Sequence, residues 1–328
     1  MYDKIYELLE RQGRVKSAVA LAGEHAGSRC IWQDGKLFAS GEKETEYWRS
    51  YEGILETDSS GILEKEGILI EMFQKNPRMV ILGAGHVSCP TAKIGSMLGF
   101  HVTVMDDREE FLTKELFPET DVLLRAGFEK LSELIPAYEN TYYVVVTRGH
   151  KGDYACAQQI LRRPYSYFGM IGSRNKVRIT KERLLEEGFS EKQISSIHAP
   201  IGIPLGGQLP EEIAVSICAE IVQEKNRQKA VFTDDSISRA VREGRHGVMM
   251  TIIEKSGSSP RGIGSRMFLA EDGTSFGSIG GGNVEFTALR HALQISGAEV
   301  QSYCLSLDEP ENLGMICGGK VKVLFEKV

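Results

Sequence analysis

No two of the six cysteines in this 328-residue chain lie close enough to form a C-x-x-C pair. Cys30, Cys89, Cys156, Cys218, Cys304 and Cys317 are scattered. That argues against a zinc ribbon, an iron–sulfur ligand set or a secreted disulfide framework. Basic residues are not in excess: 39 Lys and Arg face 45 Asp and Glu, and the net charge of −6 gives no electrostatic footprint for nucleic acid. No apolar run approaches a membrane span, and the polar start, Met1-Tyr2-Asp3-Lys4, lacks a signal-peptide charge pattern. These absences predict a cytoplasmic protein with reduced thiols, without nucleic-acid or membrane partners.

Apolar residues at 41% and charged residues at 26% fit a globular protein, and the length exceeds what one core usually fills. The middle of the chain predicts a strand over 79–82, the turn Gly83-Ala84-Gly85-His86-Val87-Ser88, a helix to Leu98 and a second strand over 101–105. Asp106-Asp107-Arg108 follows, about twenty residues beyond the glycines, as a dinucleotide-binding fingerprint requires. Gly83 permits the tight turn, Gly85 lets backbone approach a pyrophosphate, and Asp106 is expected to accept from a ribose hydroxyl. Ser88 stands in place of the third glycine, which predicts slightly looser helix–strand packing. Strand-like runs recur at 121–125, 142–147 and 167–171, and a last helix over 213–225 starts at Pro210-Glu211-Glu212. The expected fold is α/β: a Rossmann-like doubly wound parallel sheet over 77–227, flanked by two repeated smaller α/β modules.

Two loops of this domain have a functional composition. Thr147-Arg148-Gly149-His150-Lys151-Gly152-Asp153 follows one strand and Gly172-Ser173-Arg174-Asn175-Lys176 another. Ligands on such sheets sit at the carboxyl edge. Ser173, Arg174 and Lys176 form a candidate phosphate clamp, with Arg174 binding bidentately, and a solvated helix start explains the stretch equally well. His150 with Asp153 reads as an exposed histidine at a helix start more readily than as an acid–base pair.

The flanks resemble one another. Residues 6–14 echo residues 238–245; each is followed by an apolar strand (17–22, 248–253), a Gly-Ser loop (Gly27-Ser28, Gly257-Ser258) and an Asp-Gly turn (Asp34-Gly35, Asp272-Gly273). Each module ends in a β-like run, 67–73 or 320–325. This predicts a degenerate repeat, 1–76 and 228–328, interrupted by the Rossmann-like domain. Only the second copy carries Gly280-Gly281-Gly282-Asn283, ahead of a predicted helix over 284–295, and Cys317-Gly318-Gly319. Bare backbone N–H groups at a helix N-terminus favour an anion such as phosphate, and a cysteine before two glycines is a thiol without bulky neighbours. The first copy, lacking both motifs, is expected to be structural. A homodimer is the default assembly.

Gly257-Ser258-Ser259-Pro260-Arg261, the triple-glycine run through Val284-Glu285, and Cys317-Gly318-Gly319 resemble the motif set of the xanthine dehydrogenase accessory factor family (XdhC/CoxI). Gly83-Ala84-Gly85-His86, Asp106-Asp107-Arg108, Gly172-Ser173-Arg174 and the stretch from Pro200 to Ala214 match as well. The resemblance covers Met79 to Val328. It implies a protein that binds molybdenum cofactor, in mononucleotide or dinucleotide form, and supports its sulfuration with a cysteine desulfurase. Delivery to the molybdenum subunit of apo xanthine dehydrogenase or a related hydroxylase follows. On that reading Gly83, Gly85, His86, Asp106, Arg108, Ser173, Arg174, Gly280, Gly281, Gly282, Asn283, Gly318 and Gly319 contact the cofactor. Cys317 is then the sulfur relay or molybdenum ligand.

The sequence departs from the family pattern at three places. Asn283 stands where a cysteine is common, and is expected to cap the helix instead. Arg148-Gly149-His150 replaces a His-x-His stretch, and the motif-bearing module follows the Rossmann-like domain rather than preceding it. An NAD(P)-dependent oxidoreductase is the alternative reading. It uses the same glycine turn and Asp106 and leaves Gly280–Gly282 and Cys317 without a role.

Overall fold

The computed structural model describes residues 1–57, 62–227, 231–232, 234–257, 261–304 and 319–328. The chain divides into two compact units. One joins Met1–Lys75 to Lys229–Val328, and the other is Asn76–Gln228.

The first part of the discontinuous unit runs α1 (Tyr2–Gln12), β1 (Arg14–Ala20), β2 (Arg29–Gln33), β3 (Lys36–Phe38), α2 (Glu42–Arg49), α3 (Glu52–Leu55), β4 (Ile62–Lys65) and β5 (Ile68–Gln74). The continuous unit follows with β6 (Arg78–Leu82), α4 (Ser88–Met97), β7 (His101–Asp106), β8 (Val122–Arg125), α5 (Leu131–Leu134) and β9 (Thr141–Val145). It continues through α6 (His150–Ile160), β10 (Tyr167–Met170), α7 (Arg174–Glu186), α8 (Glu191–Ser195) and α9 (Pro210–Arg227). The chain then returns to the first unit as β11 (Val231–Phe232), α10 (Asp235–Arg242), β12 (Gly247–Ser256), β13 (Arg266–Ala270) and β14 (Ser275–Gly277). It closes with α11 (Gly282–Ala292), β15 (Glu299–Cys304) and β16 (Lys320–Lys327).

The continuous unit is a parallel sheet in the order β8-β7-β6-β9-β10. The order reverses between β6 and β9, and that reversal makes the crevice in which doubly wound folds bind ligands. Its strands are apolar throughout because helices cover both faces. Val80 and Leu82 of β6 point into one core with Ala157 and Ile160 of α6, while Met79 and Ile81 point into the other with Ala92 of α4 and Ile217 of α9. The Rossmann-like sheet expected from the sequence is therefore present.

The discontinuous unit contains two sheets that share a five-strand antiparallel plan, the first with the short β11 added parallel to β5. The first half pairs β4-β5-β1-β2-β3, and the second pairs β15-β16-β12-β13-β14. Registers match as well as topology. On β1, Ser17 faces Glu71 of β5 and Val19 faces Arg29 of β2. On β12, Met249 faces Glu326 of β16 and Thr251 faces Arg266 of β13. The Asp-Gly turns join β2 to β3 and β13 to β14, with Gly35 and Gly273 both at positive φ, where glycine carries no Cβ penalty.

The halves share one core. Tyr2, Ile5 and Phe73 of the first cluster with Ile237, Met249 and Phe268 of the second, and Val19 and Leu69 meet Ile253 and Leu324. At the centre lie four charges, each more than nine-tenths buried. Arg29 forks onto Glu326 (Nε–Oε1 3.0 Å, Nη2–Oε2 2.7 Å) and reaches Glu71 through Nη1 (2.6 Å). Arg266 donates to the other oxygen of Glu71, and the Tyr2 hydroxyl donates to Glu326 (2.8 Å). Two arginines balance two glutamates, so the cluster carries no net charge.

Candidate functional site

The glycine turn of the continuous unit sits at the carboxyl end of β6. Gly83 has φ +112°, and a Cβ there would stand 2.5 Å from the Val146 carbonyl oxygen, so the tight turn needs glycine. Gly85 differs: a Cβ on it would meet nothing within 4 Å. Open space faces the backbone at that point, ahead of α4, whose start has no side-chain cap. His86 is exposed beside it. Ser88 is fully buried, and its hydroxyl donates to the Gly83 carbonyl. Rather than loosening the packing, it ties the helix start to the turn.

Asp106 ends β7 beside this turn, as the fingerprint requires, but its carboxylate is already engaged. It accepts from the Ala84 N–H (2.7 Å), the Arg108 N–H (3.0 Å) and the Arg108 guanidinium (2.9 and 2.8 Å). Burial alone would raise the carboxyl's pKa; these donors outweigh it and hold the group well below its ordinary value. Arg108 is itself fixed over the Phe111 ring at 4.1 Å. Asp106 therefore organises the turn and orients Arg108, and a ribose hydroxyl would have to share an occupied carboxylate.

The next two loops of that sheet edge hold a second cluster. Asp153, in the first turn of α6, is fully buried; it accepts from the Thr147 hydroxyl (2.5 Å) and pairs with Lys176 in the first turn of α7. Lys176 is thus committed to an internal carboxylate rather than offered as a free point charge. Asp153 is likewise taken by Thr147 and Lys176, and the His150 side chain lies outside the described residues. Ser173 caps α7, accepting from the Lys176 N–H (3.3 Å), and Arg174 is exposed as the first helical residue.

In the discontinuous unit Gly280, Gly281 and Gly282 all have positive φ and lead into α11. The N-cap is Gly281, which has no side chain to cap with; Asn283 stands inside the first turn instead. The cap comes from within the helix: Glu285 accepts from the Gly281 N–H (2.8 Å) and the Ser278 hydroxyl (2.9 Å), and the Gly280 N–H donates to Ser278 Oγ (3.1 Å). The anion expected at this helix end is the chain's own carboxylate. Glu285 and Ser278 went unassigned in the sequence, although a glycine N-cap followed by a first-turn glutamate is the signal that finds them. Gly319 is buried directly before β16; Cys317 and Gly318 lie outside the described residues.

The structure brings Gly83, Gly85, His86, Asp106, Arg108, Ser173 and Arg174 to one strand edge of the continuous unit. It places Gly280–Asn283 and Gly319 in the other unit. Among the described residues no group of three His, Cys, Asp or Glu is arranged to hold a metal ion, and no helix is long and apolar enough to cross a membrane.

Two family models match: the XdhC Rossmann domain over residues 79–221, and the XdhC and CoxI family over residues 240–303. The chain is 34% identical over 160 residues to the uncharacterized protein YqeB of Escherichia coli, across 48% of this chain and 29% of that protein. It is 31% identical over 164 residues to a probable xanthine dehydrogenase subunit of Bacillus subtilis, across 50% of this chain and 48% of the relative. The match thus spans less than half the length of either curated relative. A solved structure described as a xanthine dehydrogenase from Bacillus halodurans shares the fold at 21% identity, with a TM-score of 0.56 over 69% of this chain and 66% of that one. The two family models together span more than half of the sequence, and the chain belongs to the XdhC and CoxI family.

Proposed function

We propose that the chain is an accessory factor for a xanthine dehydrogenase or a related molybdenum hydroxylase. On this reading it binds molybdenum cofactor, supports the cofactor's sulfuration alongside a cysteine desulfurase, and delivers it to the apo-enzyme's molybdenum subunit. The observation that carries the reading is an asymmetry between two otherwise matching halves. In the first copy a two-residue turn, Glu66-Gly67, joins β4 to β5; in the second, residues 305–319 join β15 to β16 and bring Cys317-Gly318-Gly319. Extra chain at one connection of a repeated scaffold is added function rather than added fold.

The residues fit such a cargo at the β6–α4 turn. Open space over Gly85 and an uncapped α4 start suit a phosphate or pyrophosphate, with His86 and Arg108 alongside. The Gly281 cradle fits less directly, because Glu285 must withdraw before a phosphate can take its place. When bound, the cofactor supplies molybdenum held by sulfur on a phosphate-bearing pterin. A cytoplasmic homodimer belongs to the same proposal. The second reading, an NAD(P)-dependent oxidoreductase, is favoured by the Gly85 opening alone and leaves the β15–β16 expansion without a purpose.

The test is to purify the chain from cells that make the cofactor, then measure molybdenum and identify the co-eluting pterin by mass spectrometry. Stoichiometric cofactor supports the proposal. A nicotinamide nucleotide without molybdenum would support the oxidoreductase instead.

A further inference from the structure

The crevice beside the Gly85 opening has an apolar wall on one side. Ala84 of the β6–α4 turn and Val146 at the end of β9 pack with Ile201 and Ile217, so the 202–209 connection and the start of α9 stand next to the turn. Helices α4 and α9 run side by side in the same direction. Cys218 Sγ lies 3.9 Å from the Thr91 carbonyl near the start of α4, and Lys225 Nζ lies 5.2 Å from the ring of Phe100 just past its end. Helix α4 begins three residues before Thr91, whereas α9 begins eight residues before Cys218. Helix α9 therefore projects five residues beyond the start of α4, about 7.5 Å at the rise of an α-helix. Its stripe toward α4 continues past Cys218 through Val215 to Glu211, at helical spacing. Val215 is 50% exposed, and the connection adds Leu205 at 55% and Leu209 at 60%. Large apolar side chains left in water along a ligand crevice mark a binding wall, because no core needs them there.

We propose that this overhang seats the flat ring of the ligand whose phosphate lies at Gly85. Leu205, Leu209 and Val215 lie against the ring, and Glu211 accepts from its N–H edge. The wall is fixed in advance. The Ile203 N–H donates to the Ser216 carbonyl (3.3 Å), and the Gln208 and Leu209 N–H groups donate to Glu212 (2.8 and 3.1 Å). Glu212 is thus spent on the connection. Glu211 is exposed, and among the described residues no hydrogen-bond or ion-pair partner holds it. The inference rests on the accessory-factor reading and names the ring class: a 2-amino-4-oxopyrimidine, the edge that pterins share with guanine. Its ring N–H and amino group present two parallel donors, which one carboxylate accepts together. Adenine offers an acceptor nitrogen at the matching place, and a carboxylate repels it.

The full-length chain is titrated calorimetrically with GMP and with AMP, and is separately purified from cells that make the cofactor to measure its molybdenum and pterin. GMP is expected to bind at least about tenfold more tightly than AMP, the discrimination of a site that hydrogen-bonds the ring edge. Glu211→Gln should abolish that preference. Leu205→Asp combined with Leu209→Asp should weaken GMP and strip pterin from the purified chain. Leu185→Asp, at an exposed leucine of α7 on the opposite face of the sheet, should change neither. All four positions are exposed, so melting temperatures should stay near the parent's and separate lost binding from misfolding. If the parent carries cofactor and the Leu205/Leu209 variant carries as much, the accessory reading stands and the ring subsite falls. Equal affinity for GMP and AMP, or a preference that survives Glu211→Gln, overturns the edge recognition. A parent without cofactor that still prefers GMP through Glu211 would keep the subsite and remove the accessory reading.

Discussion

Arg29 and Glu326 stand 297 positions apart in the chain and form a two-bond pair at 3.0 and 2.7 Å between the halves of the repeat. Their counterparts, Arg266 and Glu71, form the reciprocal link. A crossed pair of this kind fixes the register of two similar sheets, because any slip leaves a buried charge without its partner.

Removing one member should therefore cost more than removing a matched pair. Arg29→Met leaves two buried glutamates against one arginine and is expected to cost about 3–5 kcal/mol. Arg29→Met with Glu326→Leu leaves Arg266 and Glu71 as a neutral pair and should recover most of that loss. Both tryptophans, Trp32 and Trp48, lie in this unit, so their fluorescence during urea unfolding reports it selectively. Equal destabilisation in the single and double variants would argue against the cluster as a register lock.

The same cluster makes stability fall with acid. Burial would raise the pKa of Glu71, but Arg266 and Arg29 outweigh it and hold the carboxyl below its ordinary value. A depressed folded-state pKa contributes stability above the unfolded value and loses it as pH falls through the folded one. The tryptophan-reported melting temperature should thus be insensitive to this group at neutral pH and decline below about pH 4.3, the ordinary glutamate value. In Glu71→Gln that acid-dependent decline should be smaller, with lower stability at neutral pH. An unchanged slope would remove Glu71 from the account.

The parallel sheet was legible because each strand–helix–strand step is local and apolar runs of four to six residues mark buried strands. The repeat was legible through its Asp-Gly turns. The charge cluster was not: Arg29 opens β2 and Glu71 is the one charge inside the apolar run of β5, and neither strand's sequence says that its partner lies on the other half of the repeat. Nor was the fate of Asp106, because the fingerprint specifies a carboxylate at the strand end and says nothing about Arg108 folding back on it. At the triple glycine, composition pointed to an anion site, and the occupant, Glu285, lay four residues beyond Gly281.

The two glycines of the β6–α4 turn should respond differently to a side chain. Gly83→Ala places a Cβ against the Val146 carbonyl at a positive φ and should destabilise the continuous unit by more than about 1 kcal/mol. Gly85→Val meets open space, should keep the melting temperature near that of the parent, and should block any pyrophosphate or phosphate ligand. Differential scanning calorimetry and nucleotide or pterin titration read the two effects separately. If Gly85→Val binds ligand as the parent does, the turn is not the ligand's place.

Glu285→Gln should loosen the start of α11 by about 1 kcal/mol, the usual worth of a cap, and free the Gly281 amide. If the glycine loop accepts phosphate once Glu285 withdraws, a phosphate-bearing pterin should bind this variant more tightly than the parent. Weaker binding would mean that Glu285 assists the ligand instead of standing in for it.

Cys317 is the thiol on which the proposed sulfur chemistry depends. Burial pushes the Cys30 and Cys218 thiols up to about 12, and the Cys156 thiol further. At neutral pH these three hold almost no thiolate and should resist alkylation in the native protein. A cysteine that relays sulfur must be reactive, so brief native treatment with iodoacetamide is expected to modify Cys317 ahead of them, as read by peptide mass spectrometry. Cys317→Ala then separates packing from function. A packing cysteine would lose modest stability and keep bound cofactor. A relay or metal-ligating cysteine would keep its melting temperature and lose either bound molybdenum or the capacity to reactivate a desulfo dehydrogenase. Molybdenum content, melting temperature and reactivation are measured on the same preparation. Reactivation equal to the parent's would leave Cys317 without a part in sulfur transfer, and the accessory role would have to rest on cofactor binding alone.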